Sequence, residues 1–346
     1  MKLTYTTKLK LQRAGIIALV VLLAFLVIWL CWVIWLERYV VYSRDGATLD
    51  FDVRPPITAG VIANPPSVGE TVPIYVNEGS DAINTSTELT QISGYYIDAD
   101  TLETDLNGAR DIIATLPAGT AVMIELKNVW GTFFYSSNLS DATVTSKIDP
   151  TKVDELIREI TSRNLYAIAT IPAFRERAYF LLDNSHTTAG LAMKGKGYLW
   201  VDEGNCYWLD PTDNDTINWL RSIVQELRGL GFDEVVFSEF RIPNTSSISF
   251  TADKNEALST AASTLVSALA TENFAVSFRT TDTGFSLPKG RSRLYLEDVG
   301  AKNVPSVAAG VTVPDKQINL VFLATTNDTR YDEYGVLRSI TIASKN

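Results

Sequence analysis

The segment from Gly231 to Pro243 carries two charged residues where an apolar strand is expected to end. Its sequence, GFDEVVFSEFRIP, is a β-like apolar run followed by Glu239 and Arg241, with a proline soon after. Strand alternation would place Phe237, Glu239 and Arg241 on one face, where the arginine favours the ionised glutamate. The pair is either part of a functional site at the strand end or a buried salt bridge that closes the fold there.

A second charged pair occurs in AVMIELKNVWG, residues 121–131. Glu125 and Lys127 interrupt an apolar run with the same spacing as Glu239 and Arg241. The sequence therefore predicts two strand ends that each present a carboxylate and a cation. We expect Lys127 to adjust the pKa of Glu125 and to contact substrate, as we expect of Arg241 beside Glu239.

Carboxylates at strand ends suit glycoside hydrolysis. That reaction needs two carboxyl groups flanking one bond, one protonated as general acid and one ionised as nucleophile or base. Asp98 and Glu297 are further strand-end acids. The hypothesis is that Glu239 is the general acid, that Glu297 or Glu125 is its ionised partner, and that Asp98 contacts substrate. The alternative is that these acids only solvate the rim of the domain.

Aromatic residues between these segments are candidate sugar-stacking surfaces. Trp130, Trp200 and Trp208 offer flat apolar faces, although each alone is more often a core residue.

No metal or other cofactor is expected, because His186 is the only histidine and lies in a polar loop. A serine triad is disfavoured because no G-x-S-x-G segment occurs. The net charge of −10 argues against nucleic acid as a partner.

Beyond Gln91, short apolar runs alternate with helical stretches, which is the pattern of parallel β/α architecture. Helices are predicted after Asp149-Pro150, along the apolar stripe 217–230, and along 258–269. Strands are predicted at 94–98, 121–127, 165–171, 234–240, 274–278, 293–297, 318–323 and, as an eighth, 338–343. The α/β pattern favours a (β/α)8 TIM-like barrel, whose chemistry is expected where its strands end.

These segments resemble the glycoside hydrolase-like TIM-barrel domain of bacterial envelope proteins. The resemblance spans residues 94–327 and is carried by IELKNVWG, IATIPAFRER, LWVDEGNCYWLDP and GFDEVVFSEFRIP. It implies a barrel that acts on a polysaccharide. The positions that match the family pattern are Glu125, Lys127, Asp210, Arg241 and, as the residue after the phenylalanine, Arg175.

Three carboxylates of the family pattern are missing from this chain. Ser238 stands where the pattern has an aspartate, and Asn128 and Val129 replace an acidic pair. Glu239 is the candidate replacement for the strand-end carboxylate. Two hypotheses follow: an active glycosidase with a relocated carboxylate, or a degenerate barrel that binds glycan without cleaving it. A third is a structural envelope protein, which predicts no saccharide binding.

The run from Ala14 to Leu36 has no charged residue over a length that spans a bilayer. The preceding tail, residues 1–13, has basic but no acidic residues, and such tails stay on the cytoplasmic side. Trp32 and Trp35 suit the outer headgroup level. We therefore expect a single-pass signal-anchor in the plasma membrane, with the C-terminal domain extracellular at the cell envelope. A cleaved signal peptide is the alternative.

The remaining sequence divides at about residue 90. Alternation on both sides of Asp45-Gly46 predicts a short β-ribbon, and a Pro-, Ser- and Thr-rich spacer follows it. The predicted organisation is a cytoplasmic tail, 1–13, a transmembrane helix, 14–36, a ribbon and spacer, 37–90, and a barrel, 91–346. The expected partners are the lipid bilayer and a polysaccharide. The sequence identifies no protein partner.

Overall fold

A computed structural model describes residue 29 and residues 40–43, 46–49, 89–139, 143–144, 147–182, 189–280 and 285–343. The chain forms two compact units, Met1–Arg54 and Pro55–Asn346. In the first unit, Val40–Ser43 and Gly46–Leu49 pair as antiparallel strands with Ser43 opposite Gly46. This pair lies where the alternation around Asp45-Gly46 predicts a β-ribbon.

The predicted membrane span falls almost wholly outside the described residues. Of residues 14–36, only Trp29 is described, and it is helical and 60% exposed. Among the described residues, no helix has the length and apolar character needed to cross a bilayer. The tail 1–13 and most of the spacer 37–90 also lie outside them, so the membrane anchor stays a prediction.

The second unit contains a closed barrel of eight parallel strands, which confirms the predicted barrel. Each strand pairs with the next along the chain, and the eighth pairs with the first. The strands are β1 Ser93–Ile97, β2 Ala121–Glu125, β3 Tyr166–Pro172, β4 Glu234–Ser238, β5 Ala275–Arg279, β6 Leu294–Leu296, β7 Leu320–Ala324 and β8 Gly335–Ser339.

Helices on the outside of the barrel follow the strands. They are α1 Ala99–Thr104, α2 Leu106–Ile113, α3 Pro150–Ser162, α4 Ala178–Leu182, α5 Asn214–Gly229, α6 Lys254–Leu269, α7 Val304–Gly310, α8 Lys316–Asn319 and α9 Ile340–Ala343. Asp149 caps α3, where Pro150 is the first helical residue, as predicted. The predicted apolar stripes of α3, α5 and α6 are buried, except that Leu230, which follows α5, is exposed.

Short elements extend the loops at the carboxyl ends of the strands. Arg175–Glu176 pairs antiparallel with Tyr207–Trp208, and Thr132–Phe133 pairs parallel with Thr143–Val144. The 3₁₀ turns Ala301–Asn303 and Thr329–Tyr331 lie in the last two βα connections.

Side-chain alternation divides the core into two clusters. Met123, Ile168, Val236, Tyr295 and Val321 belong to a small cluster built from the strands, which fills the barrel interior. The alternate strand residues join a larger cluster together with the helices. Because the period of a strand is two, residues two positions beyond an interior residue also face inward.

The amino-terminal end of the barrel is closed by a buried polar network. The side chains of Glu234 and Arg293 form a buried ion pair. Glu234 also accepts hydrogen bonds from the hydroxyls of Tyr166 and Tyr295, at 2.8 and 2.9 Å. Arg293 donates further to the carbonyl oxygens of Ile318 and Thr90. The network is satisfied internally, as a buried charge requires.

Several predicted strand bounds were wrong. β2 stops at Glu125 and not Lys127, and β4 stops at Ser238, so Glu239 and Arg241 lie outside the strand. β8 begins at Gly335, and the β-branched run Ile340–Ala343, predicted as strand, is helical. A short apolar run carries no length or period that separates strand from helix.

Candidate active site at the mouth of the barrel

The carboxyl ends of the strands present a cluster of polar side chains to the barrel mouth. Alternation from Met123 turns Glu125 inward, and alternation from Tyr295 turns Glu297 inward. On β5, Val276 and Phe278 belong to the outer cluster, so Arg279 faces inward. These three positions bring two carboxylates and one guanidinium to the mouth, from β2, from β5 and from the residue that follows β6.

Glu125 occupies the more enclosed part of this cluster. Its Oε2 accepts a hydrogen bond from the backbone N–H of Ala99, at 3.1 Å. Burial raises the pKa of Glu125, against the opposing effects of Arg279 and of the Ala99 hydrogen bond. The nearby charges of Asp98 and Glu297 add to the rise in pKa. A carboxyl group in these surroundings keeps its proton to higher pH than an ordinary glutamate.

Glu297 is in a different environment because it pairs with a cation. Its Oε2 lies 3.3 Å from Nε of Arg279, and the two side chains are 29% and 22% exposed. The next residue, Asp298, has a positive φ of 60°, which is uncommon for a residue other than glycine. Such backbone strain concentrates at functional sites, and here it follows directly after a mouth carboxylate.

Asp98 and Tyr96 complete this side of the mouth. Asp98 caps α1 by accepting a hydrogen bond from the N–H of Thr101, at 2.9 Å. Tyr96 packs against the interior cluster, and its pKa is raised by burial and then by the charge of Asp98. Arg279 and Asp298 also act on this phenol electrostatically. Asp98 therefore lies at the mouth, as the sequence predicts, with part of its carboxylate engaged by the helix.

A second polar group surrounds Glu239, where five side chains form a closed ring of contacts. Arg175 Nε donates to Asp202 at 2.7 Å, and Arg175 Nη1 lies 3.5 Å from Glu239. Arg241 Nε donates to Glu239 at 3.0 Å, and its Nη2 forms an ion pair with the same carboxylate at 2.9 Å. The Arg241 guanidinium stacks on the ring of Trp208, 4.7 Å from its centroid, and Trp208 Nε1 donates to Asp202.

Local features hold this ring in place. Burial acts to raise the pKa of Asp202. Hydrogen bonds from Arg175, Cys206 and Trp208 outweigh burial and lower that pKa. A Cβ at Gly204 would collide with the Arg175 guanidinium, so a larger residue there would displace Arg175 from the ring. Glu239 itself has a positive φ of 50°, so its side chain leaves the direction of β4. The predicted contact of Arg241 with Glu239 is present, but it arises from this turn and not from strand alternation.

The structure contradicts the assignment of Lys127 as a substrate contact. Lys127 is 1% exposed and forms a buried ion pair with Glu176. Its ammonium also lies 5.5 Å from the centroid of Phe133. The reason is that β2 ends at Glu125 and the chain turns outward, so the i, i+2 spacing does not place Lys127 beside Glu125. The cation that acts on Glu125 is Arg279.

The three candidate tryptophans occupy different environments. Trp130 is 52% exposed at a turn where Asn128 Oδ1 accepts from the N–H groups of Trp130 and Thr132. Trp200 is half-buried. Trp208 is 2% exposed and lies beneath Arg241, so its assignment as a sugar platform is wrong. Only a ring with an open face can stack on a sugar.

Sequence reasoning missed Arg279, Tyr96 and Asp202. Arg279 ends the strand AVSFR, and its inward position was available from the apolar residues at 276 and 278. Tyr96 was hidden in the run GYYI, where neighbouring tyrosines face opposite sides. Asp202 lies in a loop that has no periodicity. The described residues contain no group of three or more metal-ligating side chains.

No curated protein matches the sequence. Among solved structures, a hypothetical protein from Ruminiclostridium thermocellum is 23% identical, with a TM-score of 0.45 over 53% of this chain and 96% of that chain. A GH36 alpha-galactosidase from Geobacillus stearothermophilus is 12% identical, with a TM-score of 0.49 over 74% of this chain and 39% of that chain.

A GH20 exo beta-N-acetylglucosaminidase from Vibrio harveyi is 11% identical, with a TM-score of 0.46 over 67% of this chain and 41% of that chain. The chain thus spans less than half the length of either enzyme, and neither likeness bears on substrate or mechanism. The family model described as "Putative glycosyl hydrolase domain" matches residues 100–277, just over half of the chain. The chain therefore belongs to that glycosyl hydrolase domain family.

Proposed function

We propose that this protein is a glycoside hydrolase in which Glu125 is the general acid and Glu297 is the ionised partner. The observation that carries the proposal is that two carboxyl groups face one barrel mouth in different environments. Glu125 has a pKa raised chiefly by burial, whereas Glu297 pairs with Arg279. Titratable pairs whose surroundings differ in this way are typical of acid and base roles.

The chemistry follows from these two environments. Protonated Glu125 gives its proton to the leaving glycosidic oxygen as the bond to the anomeric carbon breaks. Glu297 assists attack at that carbon, either directly or through a water molecule, so that water supplies the new hydroxyl group. The leaving sugar retains the transferred proton. Trp130, exposed on the loop after β2, offers a stacking face to the glycan.

This assignment differs from the sequence-based hypothesis in the role of Glu239. That carboxylate contacts two guanidinium groups and has left the direction of the barrel strand. We therefore propose that Glu239 orients Arg175 and Arg241 at the rim and does not transfer the proton. The contacts with Glu239 and Trp208 occupy part of the Arg241 guanidinium. Only the remaining part can contact substrate.

The experiment is reducing-end release by the full chain from a panel of envelope polysaccharides. We expect Glu125→Gln and Glu297→Gln each to lower kcat by about a hundredfold to ten-thousandfold, the range of general acid–base catalysis. Exposed Glu272→Gln is the matched control and should leave kcat unchanged. Full activity in Glu125→Gln would reject the assignment.

A second function, glycan binding without cleavage, is favoured by one observation. Ser238 ends β4 with its side chain toward the mouth, at the position where the resembled pattern has an aspartate. A barrel without that carboxylate would hold a sugar and leave its bond intact. Saccharide binding without reducing-end release, equal in the parent and Glu125→Gln, would establish this second function.

We also propose that the barrel acts outside the cell on a polysaccharide of a bacterial envelope, held there by residues 14–36. The support is the uncharged length of that run and the basic tail before it. An anchored barrel would act on polymer near its own membrane. The carbohydrate is expected from the family to which the chain belongs.

A further inference from the structure

Arg279 carries a buried hydrogen-bond donor that has no partner among the described residues. Its Nε is buried and has no hydrogen-bond acceptor. Oε2 of Glu297 lies 3.3 Å from that nitrogen, close enough for an ion pair, but the N–H is not aligned with the oxygen as a hydrogen bond requires. Among the described residues, no hydrogen bond from this guanidinium is found. Buried donors are normally satisfied, so a missing partner calls for an explanation.

The position of Arg279 shows where a partner would have to lie. The residue ends β5 and turns toward the barrel interior, since Val276 and Phe278 pack on the opposite face. Its side chain is 22% exposed, so part of the guanidinium reaches the open mouth. It acts electrostatically on Glu125 and pairs with Glu297. An acceptor for Arg279 would therefore lie between the two proposed catalytic carboxyl groups.

The charges around Arg279 restrict the acceptor. Asp98, Glu125, Glu297 and Asp298 all belong to the same mouth, as their electrostatic effects on Glu125 and Tyr96 show. A carboxylate on the substrate would meet these acids. Among the described residues Arg279 is the cation beside them, since Arg175 and Arg241 at the rim already pair with Asp202 and Glu239. A hydroxyl oxygen accepts the same hydrogen bond without adding charge. The Tyr96 phenol faces the mouth as well and can exchange hydrogen bonds with a second hydroxyl.

We propose that Arg279 is a substrate-binding residue whose guanidinium donates hydrogen bonds to hydroxyl oxygens of an uncharged sugar, so that the mouth selects neutral sugars over uronic acids. The inference rests on the proposed hydrolase function and adds its substrate class. The planar fork of arginine suits a pair of adjacent oxygens, whereas a lysine presents a single point charge.

The test compares hydrolysis of a neutral oligosaccharide with hydrolysis of the same oligosaccharide bearing a carboxylate at C6. We expect the unmodified full chain to have a kcat/KM about tenfold or more higher for the neutral substrate. This comparison needs no mutation, so it does not depend on whether a variant folds. An equal or greater kcat/KM for the uronic substrate would overturn the inference.

The second experiment replaces Arg279 by lysine, which keeps the positive charge and removes the planar guanidinium group. We expect Arg279→Lys to raise KM for the neutral substrate by about tenfold, with a smaller change in kcat, because ground-state hydrogen bonds are lost. Arg110→Lys is the control, since Arg110 pairs with Glu155 and Glu159 away from the mouth. If the Arg279→Lys variant folds and its KM is unchanged while Glu125→Gln is inactive, the inference about Arg279 is overturned and the proposed function is not. Activity retained by Glu125→Gln overturns the proposed function itself.

Discussion

The proposed general acid, Glu125, is held in the fold at a cost to stability when it is ionised. Burial raises its pKa, which means that the folded protein binds the proton more tightly than the unfolded chain does. The stability that this protonation contributes is present at low pH and is lost as pH rises through the raised pKa. At neutral and alkaline pH the ionised side chain is therefore a cost to the fold.

Glutamine at this position should stabilise the protein in a pH-dependent way. We expect Glu125→Gln to increase the free energy of unfolding by about 1 kcal/mol at pH 8, a gain typical of removing a functional group held at a cost to stability. The gain should shrink below the ordinary carboxyl pKa, where Glu125 is neutral in both states. Urea unfolding at pH 4 and pH 8 measures it.

Exposed Glu272→Gln is the control for that measurement, because its replacement removes a similar charge without burial. It should change the free energy of unfolding little at either pH. A Glu125→Gln variant that is less stable than the parent at pH 8 would show that the carboxylate is stabilised in the fold. It would also remove the physical basis for a general acid at this position.

At the scale of elements, a buried clasp joins the loop after β2 to the segment after β3. Glu176 accepts from Lys127, and its other oxygen accepts from the N–H groups of Ala178 and Tyr179 at the start of α4. A Cβ at Gly131 would collide with the Glu176 carboxylate, so the two segments are in close contact. Glu125 ends the strand before the first segment and Arg175 directly precedes Glu176 in the second, so we expect the clasp to position both residues.

Breaking one half of this clasp should be costly. We expect Lys127→Met to lower the free energy of unfolding by about 3 to 5 kcal/mol, because Glu176 is left buried without its cation. Adding Glu176→Gln should recover part of the loss. The control is Lys147→Met, since Lys147 pairs with Glu103 at an exposed site and should matter by less than about 1 kcal/mol.

A loss in Lys127→Met no larger than that of the control would mean that the clasp does not hold the loops. Urea denaturation of all three variants at one pH gives the comparison. Because Lys127 was first interpreted as a substrate contact, kcat and KM of the folded variants provide a second readout. A change confined to KM, with stability unaffected, would restore the original interpretation.

Helices were predictable where the spacing of apolar residues in the sequence matches the face that is buried in the fold. Val153, Leu156, Ile157 and Ile160 form a stripe at helical spacing, and all four are buried in α3. The strand ends were less predictable, because charged residues beyond an apolar run look the same whether the strand continues or turns. Lys127 thus pairs with Glu176 and not with Glu125.

The site was predictable only in part for the same reason. Glu125 and Glu297 were found because they directly follow apolar strand residues. Arg279 was missed because the predicted strand 274–278 stops one residue before it, whereas β5 extends to Arg279. The ring around Glu239 depends on Asp202, a loop residue whose position is set by contacts distant in sequence.

At the scale of the molecule, the two ends of the barrel have different roles. The amino-terminal end is closed by the satisfied network of Glu234, Arg293 and two tyrosines. The carboxyl end holds Glu125 with a raised pKa, an Arg279 nitrogen without an acceptor, and two residues with positive φ. The amino-terminal end therefore holds a satisfied structural network, and the carboxyl end holds the side chains of the proposed site. In barrels of this kind, active sites lie at the carboxyl end of the strands.

The whole-molecule arrangement also includes the proposed anchor. We expect the full chain to remain in the membrane fraction after washing at high salt, and a chain lacking residues 1–36 to be released from it. Protease added outside intact cells should digest the barrel of the full chain. Recovery of the full chain in the wash, or protection from external protease, would contradict the proposed location.

The most direct test of the proposed general acid is the dependence of Glu125→Gln on the leaving group. A substrate whose leaving group is a nitrophenolate needs no proton, whereas a natural sugar leaving group does. We expect Glu125→Gln to lose turnover of the natural glycan by about a hundredfold or more while nearly retaining turnover of the nitrophenyl glycoside. Glu297→Gln should lose both. Equal losses on both substrates in Glu125→Gln would contradict its assignment as the general acid.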